Sequence, residues 1–275
     1  MARMNGRQWL VVVGVPVLIG GLGFLLGEVD QRYVLPTLIT LMGIFLAGLL
    51  VEARGLSIRL FGRTLVDNRA TFSQVEALIG LFWVLKPTAP LPATRGWASS
   101  PDLLREIADH ILREKPAHVV EASSGVSTVI IGLCLQQLGR GKVVSLEHEP
   151  TYAERTRNMV RQLGLDDFVS VVHAPLVEHR INGVVHRWYD HRRADLPARI
   201  ELLVVDGPPE SVQDQARYPA VPLLRDRFTA GSRVLMDDGS RAHESRIAER
   251  WKQENPTAQL EFLPLEAGAW SLRFV

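Results

Sequence analysis

The chain has 275 residues, 31 basic against 30 acidic side chains, a net charge of +1, and 47% hydrophobic residues. That ordinary, balanced composition gives no electrostatic footprint for nucleic acid, so no nucleic-acid partner is expected. The single cysteine, Cys134, excludes an internal disulfide and fits a reducing compartment.

Two apolar runs without a charged residue come first, Trp9 to Leu26 and Tyr33 to Val51. A bilayer core is crossed by about 20 apolar residues of helix, so the pair predicts a transmembrane hairpin over residues 1–51, with spans at 9–26 and 33–51. Arg3 and Arg7 precede the first run, and Arg54, Arg59 and Arg63 follow the second. Basic residues gather on the cytoplasmic side, which places both ends of the hairpin and the rest of the chain in the cytoplasm, at the cell membrane. Residues 52–97 read as a juxtamembrane connector. Within it Val75, Leu78, Ile79, Phe82 and Leu85 give Ser73 to Leu85 an apolar helical face, suited to the bilayer surface or to covering the following domain. Pro87, Pro90 and Pro92 then stop the helix.

From Ser100 onward the pattern is α/β. Ser100 with Pro101 opens a helix carrying Leu103, Leu104, Ile107, Ala108, Ile111 and Leu112 on one side. Strands are expected at His118–Glu121, Val143–Glu147, Val169–His173, Leu202–Asp206 and Val234–Asp237, with helices at Thr128–Leu138, Tyr152–Leu163 and His243–Glu254 and a broken one at Tyr218–Phe228. Glu178 to Tyr189, centred on Asn182 and Gly183, reads as an inserted hairpin, and Gln259–Leu263 and Ser271–Val275 as closing strands. Such alternation predicts a doubly wound, mostly parallel sheet with its ligand crevice at the carboxyl ends of the strands.

Those ends carry Glu121, Glu147, His173, Asp206 and the pair Asp237 and Asp238. The loop from Ala122 to Thr128 is built of small residues that let a ligand approach the backbone, and Ser127 or Thr128 can cap the next helix. Glu147 is placed to accept both hydroxyl protons of a ribose. The glycine fingerprint of NAD enzymes and the P-loop are both absent.

The segments Val119–Thr128, Val143–Pro150, Leu203–Pro209 and Val234–Gly239 together resemble class I (Rossmann-like) S-adenosylmethionine-dependent methyltransferases, of the small-molecule O-methyltransferase-like branch, from Trp97 to Val275. The resemblance implies a seven-stranded sheet with an antiparallel last strand over residues 98–275. It also implies cofactor contacts from Glu121, Ala122, Ser123, Gly125, Ser127, Glu147, His148, Ala174 and Asp206. Metal-dependent relatives hold Mg2+ at positions matching Asp206, Asp237 and Asp238, but the lysine they carry after the first acid is replaced here by the Pro208–Pro209 turn. Asp206, Asp237 and His173 are the candidate bases, and Arg217 and Tyr218 lie in a segment that borders the substrate. The expected activity is methylation of a hydroxyl on a small-molecule, glycan or lipid-linked acceptor. The alternative is a catalytically inactive membrane-anchored module that binds a nucleoside or a partner.

Overall fold

In a computed structural model, residues 10–28, 31–87, 90–94 and 98–275 are described. The predicted start of the first span at Trp9, the flanking Arg3 and Arg7, and the connector's end at Trp97 lie outside them. The chain divides into two compact units, residues 1–69 and Ala70–Val275.

In the first unit a π-helical turn, Leu10–Gly14, leads into helix α1, Val15–Gly27. Helix α2, Gln31–Leu85, follows, with Pro36 in its first turns, and Thr40 Oγ1 donates to the Pro36 carbonyl at 2.8 Å. Among the described residues one helix, from Val34 on, is long and apolar enough to cross a membrane, and a shorter apolar helix covers Leu10–Leu25. The helix does not stop at Val51, where the apolar run ends. Between Glu52 and Leu85 there is no proline, and charged residues such as Glu52 and Arg54 are good helix formers, so only the polarity changes there.

The second unit is the α/β domain. Its strands are β1 His118–Ala122, β2 Lys142–Glu147, β3 Val169–His173, β6 Ile200–Val205, β7 Phe228–Asp237, β8 Gln259–Leu263 and β9 Ala269–Arg273. They form one seven-stranded sheet in the order β3-β2-β1-β6-β7-β9-β8. The first five are parallel, whereas β9 runs antiparallel to both β7 and β8. A separate antiparallel hairpin, β4 Leu176–Ile181 and β5 Val184–Tyr189, turns at Asn182 and Gly183, both with positive φ, as the sequence pattern anticipates.

Successive residues along each strand enter opposite cores. Val119, Leu202, Val204 and Leu235 pack on one face with α3 (Pro101–Glu114), α4 (Val126–Leu138) and the last turns of α2. Val120, Leu203, Val205 and Met236 pack on the other with Trp188 and Tyr189 of the hairpin and Trp251 of α7 (Ala242–Glu254). Helix α5, Pro150–Gln162, follows β2, and a short α6, Ala220–Leu224, lies in the broken segment before β7. Because β1 sits between β2 and β6, and β6 beside β7, the carboxyl ends of these four strands meet at one rim.

Candidate active site

The loop after β1 is held from beneath by Glu121. This side chain is fully buried, and it accepts hydrogen bonds from Thr128 Oγ1 at 2.6 Å and Ser145 Oγ at 2.5 Å. Burial raises its pKa, while the hydroxyls of Ser127, Ser145 and Thr128 pull the other way. Thr128 does not cap α4 from outside. Helix α4 begins at Val126, and Thr128 Oγ1, already inside its first turn, accepts the Gly125 N–H at 2.9 Å. Ser123 adopts φ +127°, a conformation that favours glycine, and its N–H bonds the Leu146 carbonyl at 2.9 Å. The loop therefore keeps the shape for which the resemblance suggests glycine.

A cavity of about 190 Å3 opens over this loop. Ser123, Ser124, Gly125, Ser127 and Asp206 line it, as do Ser99 and, from α5, Tyr152, Thr156 and Met159. The Ser99 and α5 contributions carry no signal in the sequence. Ala122 and Ala174 are fully buried and bind neighbouring strands through their backbones: the Ala122 carbonyl accepts the Asp206 N–H, and the Ala174 N–H bonds the Glu147 carbonyl.

Glu147 ends β2 beside the cavity. Its carboxylate accepts the Ser124 hydroxyl at 3.1 Å and the Glu149 N–H at 3.0 Å, and His148 Nδ1 stands 3.1 Å away. Burial works against its charge, but these bonds outweigh it and hold the pKa below the usual carboxylate value. Ser124 also meets Thr156 at 3.0 Å, so it joins the wall of the cavity to Glu147. The buried Tyr189 packs edge-on against His148, and a Cβ added to Gly207 would collide with its hydroxyl. Tyr189 thus lies between the ends of β2 and β6. Burial, with Glu147 and Asp206 nearby, raises its pKa well above the usual phenol value.

The end of β6 and β7 is organised by Arg217. This guanidinium is almost wholly buried and donates to Asp206 Oδ1 at 3.2 Å, Asp238 Oδ2 at 2.8 Å and the Asp237 carbonyl at 2.9 Å, with Glu244 at 3.9 Å. Arg241 adds a second pair to Asp238 at 2.9 Å. Asp206 also accepts the Ser99 hydroxyl at 3.3 Å. Burial raises the Asp206 pKa to about 6, against the pull of Arg217, and that of Asp237 to about 7, with Asp206 and Asp238 adding to the rise.

One carboxylate oxygen from each of Asp206, Asp237 and Asp238 lies within 4.8 Å of the others, a spacing compatible with a cation. The donor set nevertheless does not fit Mg2+. Asp206 and Asp238 already share one guanidinium, Asp238 holds a second, and Asp237 spends an oxygen on the Asp238 N–H at 2.6 Å. The positive charge at this point is Arg217. If so, activity should persist undiminished in excess chelator; loss of turnover restored by added Mg2+ would contradict the assignment.

The remaining candidates fall elsewhere. His173 ends β3, separated from β6 by both β2 and β1, and its Nε2 meets the His148 carbonyl at 3.2 Å. Tyr218 points away from the rim, bonding Glu254 at 2.7 Å under the guanidinium of Arg250.

Residues 122–239 match the family model described as a methyltransferase domain. The SAH-bound methyltransferase PaMTH1 of Podospora anserina superposes with a TM-score of 0.55 at 15% identity, over 76% of this chain and 95% of that one. The methyltransferase domain of METTL16 gives 0.50 at 11% identity, over 73% and 78%. An O-methyltransferase from Bacillus cereus in complex with SAH gives 0.46 at 14%, over 72% and 90%. No curated protein matches the sequence significantly.

Proposed function

We propose that this chain is an S-adenosylmethionine-dependent methyltransferase, a reading that its matched domain and its fold support, and that it methylates a hydroxyl of a small-molecule, glycan or lipid-linked acceptor presented at a membrane. The observation that carries the chemistry is the Asp206 carboxylate in the wall of the cavity that the β1 loop forms, held there by Arg217 and Ser99.

The residues fit the cofactor in two parts. The cavity is smaller than the roughly 300–1,000 Å3 of a site enclosing a whole drug-sized ligand, so it suits the amino-acid end, over Ser123, Gly125 and Ser127. Glu147, joined to it through Ser124 and flanked by His148, suits the ribose. When bound, the cofactor supplies a methyl carbon activated by its sulfonium. The chain's own part is to position the acceptor and take its proton, which is the role assigned to Asp206, with Arg217 fixing that carboxylate in place.

Isothermal titration of the full chain in detergent with S-adenosylmethionine tests the reading, and no binding would overturn it. Glu147→Ala should weaken that binding tenfold to a hundredfold with the thermal transition intact, since losing a charge-assisted hydrogen-bond pair costs about 1.5–3 kcal/mol. Membrane attachment rests on the apolar helices Leu10–Leu25 and that beginning at Val34, and a cytoplasmic domain rests on the arginines that flank the runs. A cysteine at Gln31 should react with an impermeant reagent added outside cells while one at Arg63 does not; the reverse labelling would overturn the orientation.

A further inference from the structure

Helix α2 carries two stripes with different destinies. In its last turns Gln74, Ala77, Leu81 and Leu85 are buried, and the two leucines belong to the core shared with α3 and α4. Phe72, Val75, Ile79 and Phe82 form another stripe, roughly 140° around the helix from the first. These four stay open, with Val75, Ile79 and Phe82 lining an apolar groove of about 500 Å3 beside Leu78 and Trp83.

The open stripe obeys a strict rule. Reading along the sequence, Ile58, Phe61, Leu65, Asn68, Phe72, Val75, Ile79 and Phe82 alternate spacings of three and four without a break. Seven of the eight are large apolar side chains, and each of these is between 42% and 66% exposed. The flanking positions Thr64, Arg69, Thr71 and Glu76 are polar, so the stripe is narrow along most of its length and widens only at its carboxyl end, where Leu78 and Trp83 flank it. A sustained repeat of 3.5 residues with a narrow seam is what one helix needs to meet another along its length. A helix lying on a bilayer needs a broad apolar face and has no use for that period.

We propose that this seam joins the chain to a second copy of itself as a parallel, in-register coiled coil from Ile58 to Phe82. Asn68 chooses the arrangement. In register, the amide of one copy faces the amide of the other and the two satisfy each other, whereas antiparallel pairing centred on the seam sets Asn68 near Phe72 and leaves it unpaired among apolar groups. The area is sufficient. Burying the seven apolar side chains removes on the order of 700 Å2 per chain before flanking groups are counted, close to the roughly 800 Å2 per partner of a standard interface.

Cysteine crosslinking of the full chain in detergent and in bilayers tests this. The native Cys134 is buried, and burial pushes its thiol up to about 12, so it stays silent. Val75→Cys, on the seam, should give a disulfide-linked species of twice the chain mass under mild oxidation. Ala70→Cys, on the opposite side of the helix, should give none. Phe72→Glu combined with Ile79→Glu should abolish the Val75→Cys crosslink and leave a monomer at micromolar concentration, with the domain's thermal transition unchanged. A monomer without these substitutions would overturn the proposal. So would equal crosslinking of the Ala70→Cys and Val75→Cys variants, or a Val75→Cys thiol that is shielded from an impermeant maleimide in bilayers without crosslinking, which would place the stripe against lipid.

Discussion

Arg217→Met should destabilise the α/β domain by about 3–5 kcal/mol, the usual cost of removing one partner from a buried ionic cluster, and should abolish methyl transfer with it. For a domain of this size that is a fall in Tm of roughly 6–20 °C. The reason lies in what is left behind. Asp206 and Asp238 lose the donor they share, the Asp237 carbonyl loses its partner, and Glu244 faces them with no countercharge but the exposed Arg241. The pH dependence has a definite sign. Without the guanidinium the carboxylates bind protons more readily in the folded state than in the unfolded one, so the variant's stability falls as pH rises, and its deficit against the parent is larger at pH 8 than at pH 5. Calorimetry at the two pH values checks this. Adding Asp238→Asn to Arg217→Met should recover part of the loss, because it removes one of the stranded charges. A variant melting within a degree of the parent at pH 8 would show that the cluster is not held by Arg217.

This residue also marks where sequence reading ends. The parallel strands were legible where a short apolar run is closed by a polar residue, although β7 begins at Phe228, well before the expected Val234, because Thr229 to Arg233 carry no apolar run; the hairpin was legible because Asn182 and Gly183 tolerate the positive φ that its turn demands. The loop after β1 was legible from its small side chains, although Ser123 departs from the expected glycine and still takes φ +127°. Arg217 gave only the hint that its segment borders the substrate. It lies in irregular backbone before α6, and its partners come from the ends of β6 and β7 and from α7, so no local period announces them. Its neighbour Tyr218 carries the same kind of hint and turns to Glu254 instead. The possible Mg2+ came from the resemblance, in which Asp206, Asp237 and Asp238 match the metal positions of metal-dependent relatives although their lysine is missing. Three carboxylates at strand ends read as a cation site until the fold brings a cation of the chain's own into their midst.

The helix after the apolar run shows the complementary limit. Polarity changes at Glu52, and a change of polarity reads naturally as the end of an element, yet the backbone responds to propensity and finds nothing before Leu85 that stops it. The apolar residues Val75, Leu78, Ile79, Phe82 and Leu85 read as one face in sequence. In three dimensions Leu85 joins the buried stripe with Leu81, while Val75, Ile79 and Phe82 lie exposed on another side. Both faces were present in the letters, but only the contacts separate them.

Asp206→Asn should lower kcat by about 10²–10⁴, the range attributed to a positioned general base, with little change in cofactor affinity. The substitution preserves shape and can keep the contacts with Arg217 and Ser99, so the loss isolates the proton-accepting step from positioning. In the parent enzyme the base must be ionised to work. With its pKa at about 6, kcat should rise with pH through that value and level off above it, and the variant should lack this limb. Stability runs the opposite way. An aspartate whose folded pKa is raised above its unfolded value of about 3.8 binds more protons folded than unfolded, so it lowers stability as pH rises from about 4 to 6 and leaves that penalty in place above. Asp206→Asn removes a charge the fold holds at a cost, and should therefore melt no lower than the parent at pH 8 by calorimetry. Activity and stability thus separate at one residue: turnover lost, the domain as stable or more so. A variant that keeps most of its kcat, or one that loses turnover only because it unfolds, would remove Asp206 from the role of base.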